Sequence, residues 1–541
     1  MEWKGRQAHD ICEEITRYVL HRHNKLTLRE EITFYAESFS SIVNFSPFDK
    51  EAFDSARRGF QTFEYDIRNL EDLPLQIRQL APVSPLARYA SIDPPLIGAH
   101  SSTVDPIDVN MYFEASSRWP ENLVAIQEAK IEFLLDIDRR LCSAHDNITT
   151  HLGRENKELG NENLAFLDVI YDTGAAFRVR IHCDLEEILL ERQQKNRTLE
   201  HYVRDEADET LARFHWQFTT LPLHTQTIAT FCTRLPTLSG SIRLAKQWFN
   251  SHKLTSHISQ ELIELFVLHV FLHPYPWKIP SSSTTGFLRT LDFLSRWDWR
   301  DEALIIDSAE EMSSDERLEI RKNLEEWRKK DPNMNHMTLF VATSHDHSGL
   351  AYTRNGPSKL IASRMTRLAK AACKLVKEED YNLDPVDLFE TSLQDYDVLI
   401  QLSARAVKNI MRSAASDSAA RKASQFKNLD SQTGKAPLPI RAHPVDVLLG
   451  ELGRLYEETL IFFRGDSAAD DDDLVVGAIW NPKLKRQKFR VGLPYNFHGV
   501  DEEDGNVVEV NKKAVLLEIA RIGGDMIKKI EEVEDEEEDE A

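Results

Sequence analysis

Cysteine is scarce. The five cysteines (Cys12, Cys142, Cys183, Cys232, Cys373) lie far apart and none forms a C-x-x-C pair, so neither a zinc ribbon nor a dithiol redox site is signalled. An odd, sparse set fits a reducing compartment. Long apolar runs are missing too. The longest, 262–272, carries Glu264 and His269 and is too short to span a bilayer. The opening Met1-Glu2-Trp3-Lys4 lacks the apolar segment of a secretory signal, which sets the expectation of a nuclear or cytosolic protein with no membrane partner. Positive charge is in deficit: 66 Lys and Arg against 89 Asp and Glu give a net charge of −23 over 541 residues. A surface that wraps nucleic acid on every side is thereby excluded, whereas local basic patches are not. Nine of the acids lie within 531–540, so the remainder is nearer −14. No short-period repeat is present, which argues against a solenoid.

What is there is ordinary globular composition, 41% hydrophobic and 29% charged, at a length that predicts three or four domains. The first 80 residues read as helices, with Ile15, Val19, Leu20, Leu26, Leu28 and Ile32 at helical spacing. Pro82, Pro85, Pro94 and Pro95 then mark a boundary. Next, 109–113 reads as a strand and Pro120 as the first residue of a helix whose face is Leu123, Ile126, Phe133, Leu134, Ile137 and Leu141. The polar stretch 148–163 reads as a loop. The runs 166–171 and 175–181 flank Asp172-Thr173-Gly174, a hairpin signature. Asp184 is expected to cap a helix to about 194. Residues 211–330 are mostly helical in pattern, and 338–342 is a strand candidate. Ser358 is expected to cap a helix to 377. The last region begins with helices, passes a Ser/Ala/Lys-rich stretch at 412–436, and then offers strands at 459–464, 474–480 and 487–491 that would form a meander. A helix over 512–529 would run into the acidic tail.

Few constellations carry chemistry. Gly434-Lys435 is followed by Ala436 and lacks the upstream glycine of a phosphate-binding loop. His345-Asp346-His347 has no third partner and reads as a polar turn. Asp136 and Asp138 diverge on a helix, and Asp395 and Asp397 read as helix-start acids. No metal site or cofactor is implied. The basic stretches are more informative. No acid occurs from His347 to Lys377, a stretch with Arg354, Lys359, Arg364, Arg367, Lys370, Lys374 and Lys377. Arg367, Lys370 and Lys374 line one helix face. A second cluster is Lys483, Lys485, Arg486, Lys488 and Arg490. Both fit salt-sensitive contact with phosphates, or else a solvated face balanced by acids elsewhere. Arg178 and Arg180 alternate on a hairpin strand and so share one sheet face, which an α+β domain can leave exposed.

Long segments resemble the Nrap family of nucleolar RNA-associated proteins. They are LAKQWFNSHKL at 244–254, HVFLHPYPWKIPSSSTTGFLRTLDFLSRWDWRDEALIID at 269–307, YTRNGPSKLIASRMTRLAKAACKLV at 352–376, FLDVIYDTGAAFRVRIH at 166–182 and DPVDLFETSLQDYDVLIQL at 384–402. The resemblance implies an α+β multidomain fold similar to class I CCA-adding enzymes, of which this chain matches the C-terminal half. Residues 1–78 would be the helical remainder of a preceding module. A degenerate nucleotidyltransferase-like domain would cover 79–210, a helical poly(A)-polymerase/oligoadenylate-synthetase-like domain 211–380, an α+β domain 381–528 and an acidic tail 529–541. It further implies a nucleolar, non-catalytic scaffold of the small-subunit processome. The partners implied are pre-rRNA, an rRNA-processing protein with a deviant RNA-recognition-motif domain, and casein kinase subunits.

An active nucleotidyltransferase needs a Gly-Ser turn, a strand Asp-x-Asp and a third carboxylate to hold two magnesium ions. Here Gly98-Ala99-His100-Ser101 precedes a strand, 109–113, without carboxylates, while Asp105 and Asp108 stand before it. Asp168 alone sits where a third acid would. No catalytic residue is therefore assigned. The phosphate-contact candidates are Arg354, Lys359, Arg364, Arg367 and Lys370, with Arg178, Arg180, Lys483, Lys485, Arg486 and Lys488 beside them. The alternatives are an active template-independent RNA nucleotidyltransferase and a scaffold that binds proteins only.

Overall fold

The computed structural model describes residues 8–24, 39, 42–43, 50–92, 103–154, 165–309, 312–354, 356–379, 382–415, 438–439, 443–465, 474–482, 487–488, 496–499 and 507–533. They fall into two compact units, one of 1–247, 258–388 and 434–439, the other of 248–257, 389–433 and 440–541. No helix among the described residues is long and apolar enough to cross a membrane.

The first unit contains helices α1 (Ala8–Asn24) and α2 (Lys50–Arg68), then a five-stranded sheet. Its strands are β1 (Ile77–Pro82), β2 (Ile107–Phe113), β3 (Ile148–Arg154), β4 (Ala165–Tyr171) and β5 (Ala176–Ile181), in the order β1-β2-β5-β4-β3. Strand alternation sorts their side chains. Val109, Met111, Leu167, Val169, Phe177 and Val179 point to one face and form a core with Phe63 and Ile67 of α2 and with Leu134, Ile137 and Leu141 of α3 (Leu123–Ala144). Phe63 stacks on Phe177 at 4.6 Å. Helix α2 is thus packed with the sheet that follows it.

The hairpin turns where it was expected. Gly174 has φ 85°, a left-handed conformation that glycine adopts without Cβ strain, and its N–H donates to the Tyr171 carbonyl at 2.8 Å. Other expectations are corrected. Pro120 precedes the helix; Asn122 is the cap, accepting from the Ala125 N–H. Residues 148–154 are an edge strand, not a loop: one β4 neighbour suffices to hold them, and an edge tolerates polar side chains. Asp184 is the first residue of α4 (Asp184–Lys195), after Cys183, and makes no cap of its own. The strand expected at 109–113 starts at Ile107 and takes in Asp108.

Helices α5 (His201–His215), α6 (Leu221–Arg234), α7 (Leu238–Ser251), α8 (Gln260–Leu272) and α9 (Ser283–Arg296) follow. Next come β6 (Leu304–Ile306), α10 (Ser314–Lys330), β7 (Val341–Thr343) and α11 (Lys359–Glu379), with β6 and β7 paired in parallel. Helix α8 is the apolar run of the sequence. Its one central acid, Glu264, is fully buried and meets three basic groups. Arg88 Nε donates to it at 2.8 Å, Lys246 Nζ lies at 2.6 Å, and His224 Nε2 at 2.7 Å. Arg88 also reaches Glu261 at 2.7 Å. Burial alone would raise the Glu264 pKa, but Arg88, Lys246 and the His224 hydrogen bond outweigh it and hold the carboxyl far below the usual range. On α7, Ser239, Arg243 and Lys246 donate to the successive carbonyls of Tyr89, Ala90 and Ser91: Ser239 to Tyr89, Lys246 to Ala90 and Arg243 to Ser91.

The second unit has a four-stranded sheet around β8 (Val398–Leu402). With α12 (Ala404–Ala415), α13 (Pro444–Leu455), β9 (Leu460–Phe463), β10 (Val475–Trp480), α14 (Lys512–Gly523) and β11 (Ile527–Glu532), the strand order is β9-β10-β8-β11. Three expectations change. Asp395 and Asp397 lead into a strand rather than a helix, and Asp397 accepts the Trp480 N–H at 2.7 Å. The helix expected to reach 529 stops at Gly523, and 527–532 pairs with β8 as an edge strand. The pair Gln487–Lys488 belongs to a separate small sheet, so the expected meander has two strands, not three. The Ser/Ala/Lys-rich stretch beyond Ala415, Gly434-Lys435 and the tail from 534 lie outside the described residues.

Glu264→Gln leaves two buried cations short of a counter-charge and should cost about 3–5 kcal/mol, read as a fall in the urea midpoint at pH 7. Because the folded-state pKa is depressed, the carboxylate's contribution is complete above an unfolded value near ~4.3 and is lost as pH falls below it. The gap between wild type and variant should therefore shrink in urea titrations at decreasing pH.

Candidate functional site

The face of the five-stranded sheet opposite its core is polar. Register places Asp108 of β2 beside Arg178 of β5, and Arg178 beside Asp168 of β4. One step along, Asn110 stands beside Arg180. Arg178 grips Asp168 with two hydrogen bonds, Nε at 2.7 Å and Nη2 at 3.1 Å. Arg180 pairs with Asp108. Both guanidinium groups lie over the Phe166 ring, at 4.4 and 5.9 Å from its centroid. Asp168 is fully buried and both arginines are buried. The expectation of an exposed arginine face is thus corrected: neighbouring carboxylates in a water-poor layer need counter-charge, and these arginines supply it.

A π-helical turn at Trp216–Thr220 covers the same face. Asn110 donates to the Gln217 carbonyl and accepts from the Gln217 amide at 2.9 Å, and the Tyr112 hydroxyl donates to the Phe218 carbonyl. Burial, against the Asn110 hydrogen bond, pushes the Tyr112 hydroxyl up to about 12. Beside it the His182 ring lies 4.9 Å from Tyr112 and 5.2 Å from Phe214, and burial lowers its pKa. Lys130 and Glu186 form a further buried pair, with Gln127 on the same carboxylate.

Asp108 and Asn110 are two apart on one strand, so they project the same way, as the metal-binding acids of a nucleotidyltransferase must. The second position is an amide, and each acid is paired with an arginine, Asp168 in the interior and Asp108 at its partly exposed margin. These residues do not fit a two-metal centre, and among the described residues no three His, Cys, Asp or Glu are placed to hold a metal. The sequence signal for Asp108 was the alternation Ile107-Asp108-Val109-Asn110-Met111-Tyr112-Phe113, which places the strand start two residues earlier than its apolar run suggests.

The basic candidates divide. On α11 the packed face is Ile361, Ala362, Arg364, Met365, Ala369 and Ala372. Arg364 is only 4% exposed and belongs to that face. Lys359, Arg367, Lys370, Lys374 and Lys377 are exposed. Lys374 pairs with Glu378 at 3.5 Å, and Arg354 pairs with Asp208 of α5. Among the described residues Lys359, Arg367, Lys370 and Lys377 make no ion pair. Lys488 is an exposed residue of a short strand, while Lys483, Lys485 and Arg486 lie outside the described residues. Asp136 pairs with Arg140, and Asp346 closes a turn by accepting from Ser348 and Ala351.

Three family models match in succession: Nrap protein nucleotidyltransferase domain 4 over 38–233, Nrap protein PAP/OAS1-like domain 5 over 235–391, and Nrap protein domain 6 over 393–530. A U3 small nucleolar RNA-associated protein 22 of Schizosaccharomyces pombe is 31% identical over 528 residues, 96% of this chain and 46% of that protein. Its Saccharomyces cerevisiae namesake is 28% identical, over 97% of this chain and 46% of that protein. Nucleolar protein 6 of Homo sapiens is 27% identical, over 89% and 42%. The chain spans about half the length of these relatives. Among solved structures, a cytoplasmic RNA terminal U-transferase has a TM-score of 0.39 at 12% identity, over 67% of this chain and 98% of that one.

Arg178→Ala would strand the buried Asp168 carboxylate and should cost about 3–5 kcal/mol. Arg178→Met combined with Asp168→Leu should recover most of that loss. Chemical denaturation of the three proteins checks both outcomes.

Proposed function

The chain belongs to the Nrap family, and from that membership we propose that it is a non-catalytic, RNA-binding scaffold in small ribosomal subunit biogenesis, located in the nucleolus. The observation that carries the non-catalytic part is the sheet face, where Arg178 and Arg180 neutralise Asp168 and Asp108. A guanidinium offers no open coordination site for a triphosphate or an attacking hydroxyl. A nucleotidyltransferase framework in that state retains shape and loses the means to activate a nucleotide.

The RNA part is supported by the names of the relatives, which include U3 small nucleolar RNA-associated proteins, and by the exposed basic stripe of α11. Arg367, Lys370, Lys374 and Lys377 follow helical spacing on the solvent side of that helix. Such a stripe contacts phosphates without reading bases. Arg178, Arg180 and Arg364 leave the set of phosphate contacts because they serve the interior; Lys359 and Arg354 stay at its margin. As partners we propose pre-rRNA and processome proteins, among them the rRNA-processing protein with a deviant RNA-recognition motif and casein kinase subunits that the family resemblance implies.

The combined variant Arg367→Glu, Lys370→Glu and Lys374→Glu should weaken binding to RNA more than tenfold. Each lost phosphate contact should lower the slope of log affinity against log salt by about 0.7–0.9. Filter binding across a salt series measures both. Unchanged affinity would leave a scaffold that binds proteins only. Incorporation of labelled nucleotide into RNA with magnesium or manganese should be absent in the wild-type chain; incorporation abolished by Asp108→Ala would overturn the non-catalytic reading.

A further inference from the structure

Between α8 and α9 the chain makes a short loop, 273–282, that carries Tyr275, the most exposed large aromatic among the described residues. Tyr275 is 90% exposed, Trp277 52% and Ile279 51%. The loop is nonetheless well defined. The Trp277 N–H donates to the Pro274 carbonyl at 2.8 Å, and Thr237 donates to the Pro280 carbonyl at 3.0 Å. Pro274, Pro276 and Pro280 restrict the backbone between these bonds. Both flanking helices are anchored in the interior, α8 along almost its whole length.

One of the rings carries a cation. The Arg289 guanidinium lies over the Trp277 ring, 4.9 Å from its centroid, and its Nη1 donates to the Lys278 carbonyl. Arg289 therefore buttresses the indole and adds charge to it, and Lys278 is itself exposed. The sequence around the loop is devoid of acid: none occurs between Glu264 and Asp292, in a chain with 89 acids. Exposed tryptophan, tyrosine and arginine would also suit a protein partner. Exclusion of acids, a guanidinium over the Trp277 ring and the exposed Lys278 next to it in sequence favour a polyanion with planar groups.

We propose that Tyr275 and Trp277, with Lys278 and Arg289, form a stacking platform for unpaired bases of single-stranded RNA. The inference rests on the RNA-scaffold reading above and deepens it: the α11 stripe holds phosphates of any strand, and this loop selects strands whose bases are free to stack. The backbone that carries both rings is held, and the indole is backed by Arg289, so little ordering of the loop is needed when a base settles on it.

The test uses the 541-residue chain with two probes, a short unstructured RNA oligonucleotide and an RNA duplex of the same length. Tyr275→Ala combined with Trp277→Ala should weaken single-strand binding by roughly tenfold for each ring removed. Duplex binding should stay within about twofold and the salt slope should not change, because no phosphate contact is lost. Tyr275→Phe with Trp277→Phe should retain most of the single-strand affinity. Since both side chains are exposed, the thermal midpoint should match wild type and separate this effect from misfolding. Single-strand affinity unchanged in the double alanine variant, while charge reversal on α11 still weakens binding, would overturn the platform and leave the scaffold reading intact. Wild type that binds neither RNA at low salt would overturn both. Loss of a protein partner with RNA affinity unaltered would also overturn the platform and assign the loop to protein docking.

Discussion

A single carboxylate organises the first unit. Glu264 sits at the centre of an apolar helix with no exposure to water. A bare charge there would cost several kcal/mol, so the helix packs inward only if cations arrive with it. They arrive from separate parts of the chain, Arg88 from the loop after β1 and Lys246 from α7, and the His224 ring of α6 adds a hydrogen bond. Glu261 supplies the second negative charge that Arg88 needs. The loop that brings Arg88 is in turn fixed by three side chains of α7 on three successive carbonyls. Loop 83–91 follows directly on β1, so the same network fixes one edge of the sheet against the helical layer. The polar sheet face and the aromatic loop at the end of α8 both inherit their positions from it.

The sheet face repeats this solution with another outcome. Asp108 and Asp168 stand on the two strands that flank β5, where their like charges repel, and the cations that offset them come from β5 between. In a working nucleotidyltransferase the cation is exchangeable metal with open coordination positions. Here it is guanidinium, bound covalently to the neighbouring strand and stacked on Phe166. The fold keeps its internal electrostatic balance without a ligand, and the guanidinium groups occupy the place at which the proposed reading would otherwise need a metal. Asn110 and Tyr112 are spent on the backbone of the covering turn. On the proposed reading, the covering of this face and the absence of nucleotide activation have the same cause.

Much of this was legible in sequence where burial imposes a period. The β4–β5 hairpin, the face of α3 and the apolar α8 follow directly from alternation and helical spacing. What escaped was polar or at an edge. Strand β3 reads ITTHLGR and β11 reads IKKIEE, sequences that look like loop and helix because an edge strand needs one neighbour and few apolar side chains. Asp108 was legible once the alternation is carried back to Ile107. Arg178 and Arg180 were correctly placed on one face, but whether a face is covered depends on the turn 216–220, which is remote in sequence. Arg364 shows the same limit. It stands three residues before Arg367, a spacing that groups the two, and only the packed face of α11 shows that it turns inward. Glu264 had a signal of its own: a lone acid within an apolar run calls for buried bases elsewhere.

The charge distribution then takes on a definite meaning. At physiological salt, fields of exposed charges decay over about 8 Å, so a net charge of −23 says little about any one patch. A strand of RNA is screened from the net charge until it comes within about that distance. What it meets at close range depends on where acids are missing. Two long acid-free stretches, from Leu265 to Leu291 and from His347 to Lys377, both lie in the first unit and hold the aromatic loop and the exposed face of α11. An acidic protein with two such windows restricts polyanions to them, whereas a uniformly basic one would accept them anywhere. The negative balance that first argued against RNA is, on this view, what would make local RNA contacts selective.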